Sequence, residues 1–125
     1  YEISECLVGS EMCIRDRDDT DYFVSQTIDI VSEWRIFVHR GNILDLKNYS
    51  GDPWQMPDRT TVEKMVEAFT NTPKAYTLDV AVLRNGQTAV IEVHNFIACG
   101  LYGFTSPKLP LMYCDGIYFE LEQKM

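Results

Sequence analysis

The sequence predicts an α+β domain, an antiparallel sheet built from two hairpins with helices packed on it. Three stretches carry that reading. SEWRIFVHRGNILDL alternates apolar and polar residues around an Arg-Gly turn. YTLDVAVLRNGQTAVIEVHNF places Asn-Gly between two apolar arms. TTVEKMVEAF repeats its apolar residues at helical spacing. With 125 residues, 46% of them hydrophobic, the chain holds one domain with enough apolar side chains for a core.

The chain opens on YEISECLVGSEMCIRDR, residues 1–17, which has neither strand nor helix periodicity. It contains Cys6 and Cys13, two of four cysteines; the others are Cys99 and Cys114. Cys6 and Cys13 are too far apart for a CxxC pair and have no histidine beside them, which argues against zinc. A chain this rich in apolar residues does not need disulfides, so the thiols are read as reduced, as in a cytoplasmic protein.

In the first hairpin Ser32, Trp34, Ile36 and Val38 share one face, and Glu33, Arg35 and Phe37 the other. Arg40-Gly41 is the expected two-residue turn, since glycine accepts positive φ. NYSGDPWQMPD follows as a loop punctuated by Gly51, Pro53 and Pro57. A helix is then expected over 60–69, with Thr60 and Glu63 as a capping box and Val62, Met65, Val66 and Phe69 as its apolar stripe. After the second hairpin, FIACGLYGFTSPK reads as a loop. LPLMYCDGIYFELEQKM reads as a last helix weakened by Gly116.

If Asn85 and Gly86 form a two-residue turn, Arg84 pairs with Gln87, and counting back sets Asp79 opposite Glu92. Their Cβ atoms are then roughly 5 Å apart, a spacing at which like charges repel. The same count puts Ala81, Leu83, Thr88 and Val90 on that face, which makes it mostly apolar. Two carboxylates there need a basic partner, a shared proton or a divalent cation, unless the face is simply solvated. Two carboxylates with room for water and phosphate suit Mg2+. His94 shares the face of Glu92, and Asn95 follows at the strand end. Arg35 is a candidate phosphate clamp, against the alternative of ordinary surface charge alternating with Glu33.

A net charge of −8 argues against binding through general attraction to nucleic-acid phosphates. No apolar stretch is long enough to span a membrane, and the first residues lack the basic start and apolar run of a secretory signal.

VSEWRIFVHRGNILDL, AYTLDVAVL and TAVIEVHNFIACGLYGF together resemble the C-terminal part of ATP-grasp proteins, most closely a small amidoligase-like clade of phages and bacteria. The resemblance runs over roughly residues 21–115 and implies an ATP-dependent carboxylate–amine ligase using ATP and Mg2+. Its substrates are a small-molecule or peptide carboxylate and an amine donor, joined through an acyl-phosphate. It implies metal ligation by Asp79, as the first acid, and by Glu92, as the acid of a Glu-x-Asn motif. The third position here is His94, with Asn95 one later, and either is the third ligand. Arg35 falls near the transferred phosphate. SQTIDI falls at the adenine hinge, so Gln26, Thr27 and Ile28 meet the base and Asp29 reaches the ribose, with Glu33 also at the nucleotide.

LVGSEMCIRDR, residues 7–17, resembles a sequencing adapter translated in frame. Residues 1–17 are therefore expected to be foreign to the domain and irregular, and residues 18–125 to form the lobe. The resemblance also implies a preceding lobe of the same protein, bearing phosphate-binding lysines, that these residues do not supply. The chain alone is expected to bind ATP poorly and to show no turnover. The competing readings are a non-catalytic nucleotide- or protein-binding module, favoured by His94 in the motif, and an interaction domain using Trp34, Trp54 and Tyr102.

Overall fold

A computed structural model describes residues 24–125. The segment expected to be irregular, 1–17, lies outside the described residues. Four strands form one sheet: β1 (Ile30–His39), β2 (Asn42–Gly51), β3 (Ala75–Leu83) and β4 (Thr88–Asn95). Their order is β2-β1-β3-β4, and every neighbouring pair is antiparallel. The two hairpins therefore meet through β1 and β3, which become the central strands. Helix α1 (Arg59–Ala68) joins the hairpins; a 3-10 turn (Phe96–Ala98) and helix α2 (Leu109–Lys124) follow β4.

Central position explains why β1 and β3 are apolar on both faces. Trp34, Ile36 and Val38 join Leu78, Val80 and Val82 beneath Val62 and Val66 of α1. On the other face Phe37 and Ala75 pack with Phe96, Phe104 and Met112 of α2. Burying Val62 and Val66 contributes about 1.5–3 kcal/mol each. Met65 and Phe69 complete the expected stripe from its partly buried edge. Trp34 is core: its Nε1 donates to Ser32 Oγ and to the Gln55 carbonyl, so it is no surface contact residue, whereas Trp54 is exposed.

The Arg40-Gly41 turn forms as expected, with both residues left-handed (φ 49° and 79°) and His39 opposite Asn42. Beyond it the sequence reading needs correction. Asn48-Tyr49-Ser50-Gly51, expected in a loop, is strand to Gly51. Pairing with β1 overrides the turn-like composition. Asn48 Nδ2 bridges a bulge in the ladder by donating to the carbonyls of Glu33 and Ser50. Gly51 has φ +75°, and a Cβ there would lie 2.2 Å from the Val31 carbonyl oxygen.

The cap of α1 is Asp58, not Thr60: its carboxylate accepts from Thr61 N at 2.8 Å. Glu63 instead pairs with Arg59, one turn back. Helix α2 accommodates Gly116 for a packing reason. A Cβ there would sit 2.6 Å from Asn95 Oδ1 and 2.9 Å from Ile97 Cγ2, and Asn95 Nδ2 donates to the Gly116 carbonyl. The neighbouring Asp115 anchors α2 to the end of β1. It pairs with His39 Nε2 at 2.8 Å and accepts from Arg40 Nε at 3.0 Å. The Arg40 guanidinium, with help from His39, holds the Asp115 carboxyl below its usual range against the opposing effect of burial.

The second hairpin reaches the expected pairing by an unexpected route. Gly86 alone of the turn pair is left-handed (φ 86°). Gly86 N donates to the Leu83 carbonyl and Leu83 N to the Gln87 carbonyl, both at 2.8 Å. The loop is therefore three residues, Arg84 to Gly86, not two. That offset pairs Val82 with Thr88 and Val80 with Val90. A bulge at Ile91 then restores the count, and Asp79 lies opposite Glu92. Thr88 and Val90, expected beside Asp79, consequently lie on the α1 face, where Thr88 Oγ1 accepts from Asp58 N.

Candidate functional site

Direct pairing across the sheet aligns one side chain from each strand: Lys47 of β2, Arg35 of β1, Asp79 of β3 and Glu92 of β4. Two cations thus lie beside two anions in a single row on the face opposite α1. Arg35 and Asp79, on the central strands, are 6% and 1% exposed. Arg35 Nε donates to Asp79 Oδ1 at 2.8 Å and Nη2 to Oδ2 at 2.7 Å, a bidentate pair. The hydrogen bond to Asp79 raises the Arg35 pKa above its ordinary value, so its charge is permanent. Of the rescues the sequence required for its facing carboxylates, the structure supplies a basic partner to Asp79.

Three more groups position the guanidinium. Arg35 Nη1 donates to the Gly100 carbonyl at 2.9 Å. The Tyr49 and Tyr102 rings stack on each other at 5.2 Å and lie 5.8 and 5.1 Å from the guanidinium carbon. Tyr102 reaches that place with a left-handed backbone, φ 47°. Burial raises the Tyr49 phenol well above its ordinary pKa, and the Asp79 carboxylate adds to the effect. The Cys99 thiol is likewise pushed up by burial, although Arg35 pulls against it.

At the outer end of the row, His94 Nε2 lies 2.8 Å from Glu92 Oε1, and both side chains are partly exposed. Donor atoms of Asp79, Glu92 and His94 all lie within 4.8 Å of one another. Thr77, directly opposite His94, is fully buried; its Oγ1 has no proper hydrogen-bond partner, only the nearby Cys99 thiol.

Asn95 stands apart from this cluster. Its Nδ2 donates to Gly116 O and Glu120 Oε1, both at 3.0 Å, and its Oδ1 accepts from Ile97 N. Alternation along β4 dictates this, because His94 faces the row and Asn95 caps the 3-10 turn beside α2. Glu33 is one alternation from Arg35 on the same face, partly buried and paired with Ala81 and Ser50. Gln26, Thr27, Ile28 and Asp29 lead into β1 without regular structure. Gln26 and Thr27 are exposed and Ile28 is partly buried. Asp29 is pinned to the β3–β4 turn: its carboxylate pairs with the Arg84 guanidinium and its carbonyl accepts from Arg84 N.

The sequence reading missed Lys47, Tyr49, Thr77 and the Gly100 carbonyl. An unbulged count from the Arg40-Gly41 turn sets Leu46 opposite Arg35; the irregularity between Phe37 and Val38 brings in Lys47. A backbone carbonyl carries no residue-type signal at all.

A four-stranded antiparallel sheet with two helices and this central row matches an ATP-grasp subdomain. The model of an ATP-grasp domain, family 2 of its clade, matches residues 5–109, most of the chain. The chain belongs to that ATP-grasp family, whose function is of the ATP-dependent ligase type. The matched span takes in the adapter-like stretch, residues 7–17. No curated protein matches the chain.

Proposed function

We propose that the row Lys47–Arg35–Asp79–Glu92, with His94, is the phosphate and cation end of an ATP site in a carboxylate–amine ligase. The observation that carries this is the convergence of an arginine, two carboxylates and an imidazole on one partly buried patch of the sheet. The reaction joins a small-molecule or peptide carboxylate to an amine. The substrate carboxylate attacks the γ-phosphate, ADP leaves, and the amine displaces phosphate from the acyl-phosphate. Such chemistry asks the protein for alignment and charge neutralisation rather than a nucleophilic side chain.

The donor set fits a divalent cation. Glu92 and His94 present partly exposed donor atoms, and each Asp79 oxygen keeps a lone pair beyond its bond to Arg35. Asp79, Glu92 and His94 would hold the ion, Mg2+ in the family reading, while Asn95 stays committed to α2. The bound ion supplies charge neutralisation to the phosphate oxygens. Arg35, fixed between Asp79, Gly100 and the two tyrosines, presents a planar cation to the transferring phosphoryl group. Residues 26–29 and Glu33 supply the base and ribose side.

Calorimetric titration of Mg–ATP into the full chain and its Asp79→Asn and Glu92→Gln variants tests the reading. The wild type binds and both variants lose affinity; equal affinity in all three refutes it. One observation favours a second reading, binding without chemistry: His94 stands where the family motif has asparagine, and Arg35 already grips Asp79. Binding without release of ADP in the presence of carboxylate and amine mixtures would select that reading.

A further inference from the structure

We propose that His94 shifts the cation preference of this site from Mg2+ towards later first-row transition ions such as Fe2+, Co2+ and Zn2+. The inference rests on the nucleotide reading of the row and specifies which ion it takes.

Charge is the first argument. Mg2+ binds through anionic oxygens and holds its water tightly, so its affinity follows local negative charge. Here the charge is offset. Asp79 is gripped at both oxygens by Arg35, and Lys47 stands behind Arg35 in the same row. Two cations against two anions leave little net field for a hard ion. Donor type is the second argument. His94 Nε2 lies 2.8 Å from Glu92 Oε1 and within the 4.8 Å cluster that includes Asp79. An imidazole nitrogen adds little affinity for Mg2+ and much for iron, cobalt, nickel or zinc. The third argument is independent of the cluster. Thr77 Oγ1, on the same face and directly across from His94, is fully buried and lacks a proper partner. A buried orphan hydroxyl is costly, and a ligand-bound water beside it removes the cost.

The test uses each metal alone with the full chain. Dissociation constants for Co2+ and Mg2+ are measured in the wild type and in His94→Asn. The ratio of the Mg2+ constant to the Co2+ constant should fall by about tenfold or more in His94→Asn, through weaker Co2+ binding. The chain has two histidines, His39 and His94, so a second reading needs no variant. Paramagnetic Co2+ should shift the His94 imidazole resonances and leave those of His39, buried against Asp115, largely unmoved. A ratio unchanged by His94→Asn, or Co2+ held by thiolates with His94 undisturbed, overturns the proposal. If Mg–ATP binding still depends on Asp79 and Glu92 in that case, the nucleotide reading survives. If neither metal nor Mg–ATP binds, both fall.

Discussion

Arg35 and Asp79 occupy directly paired positions of β1 and β3, and the guanidinium closes on both carboxylate oxygens at 2.8 and 2.7 Å. The pair is buried in the middle of the sheet, between the hydrophobic cores of its two faces.

Breaking that pair from one side should be costly. Arg35→Met leaves Asp79 buried and uncompensated, and is expected to destabilise the chain by about 3–5 kcal/mol. Arg35→Met with Asp79→Leu should recover most of that loss, since no charge is then stranded. Urea denaturation of the three proteins measures both effects; equal losses in the single and double variants would contradict them.

Gly116→Ala should lower the melting temperature, although alanine is the better helix former. The added methyl would meet Asn95 Oδ1 at 2.6 Å and Ile97 Cγ2 at 2.9 Å. Calorimetric melting of Gly116→Ala in the Asn95→Ala background should show a smaller loss than in the wild type.

Gly51→Ala should cost more. It combines a left-handed backbone, φ +75°, with a Cβ placed 2.2 Å from the Val31 carbonyl oxygen. Backbone strain by itself accounts for about 1–3 kcal/mol. Gly41→Ala, also left-handed but with no atom within 4 Å of its Cβ, is the control expected to lose less.

Asp115 couples stability to pH. Its folded pKa is lowered, chiefly by Arg40, so its contribution is fully present above the unfolded carboxylate value of about 3.9. The contribution is lost as pH falls from there through the lower folded value. Asp115→Asn should therefore flatten the acid limb of stability against pH. Asp58, lowered by its hydrogen bonds to Thr61, keeps some slope in place. Denaturant midpoints from neutral pH to about pH 2 read the difference between the two proteins.

The hairpins, α1 and the Asp79–Glu92 pairing were legible in the sequence, the last by a cancellation. Counting from Asn85-Gly86 assumed a two-residue turn and an unbroken ladder. The turn has three residues and the ladder a bulge at Ile91, and the two one-residue offsets annul each other at Glu92. They do not annul at Thr88 and Val90, so those two were put on the wrong face. Bulges depend on how a strand bends against its neighbours, which no residue pattern of that strand alone records. The arginine partner of Asp79 was hidden for a related reason. It depends on β1 pairing with β3, a contact between hairpins with α1 between them in the chain. Asn95 was readable in principle, since strict alternation along β4 already separates it from His94.

The central claim is that the row is where cation and phosphate meet. A crystal structure grown with Mg2+ and a non-hydrolysable ATP analogue tests it most directly. The account predicts cation density among Asp79, Glu92 and His94, with the terminal phosphate on the Arg35 side and the base towards residues 26–29. Nucleotide bound elsewhere, with Arg35 and Asp79 still closed on each other and no ion beside Glu92, would contradict it.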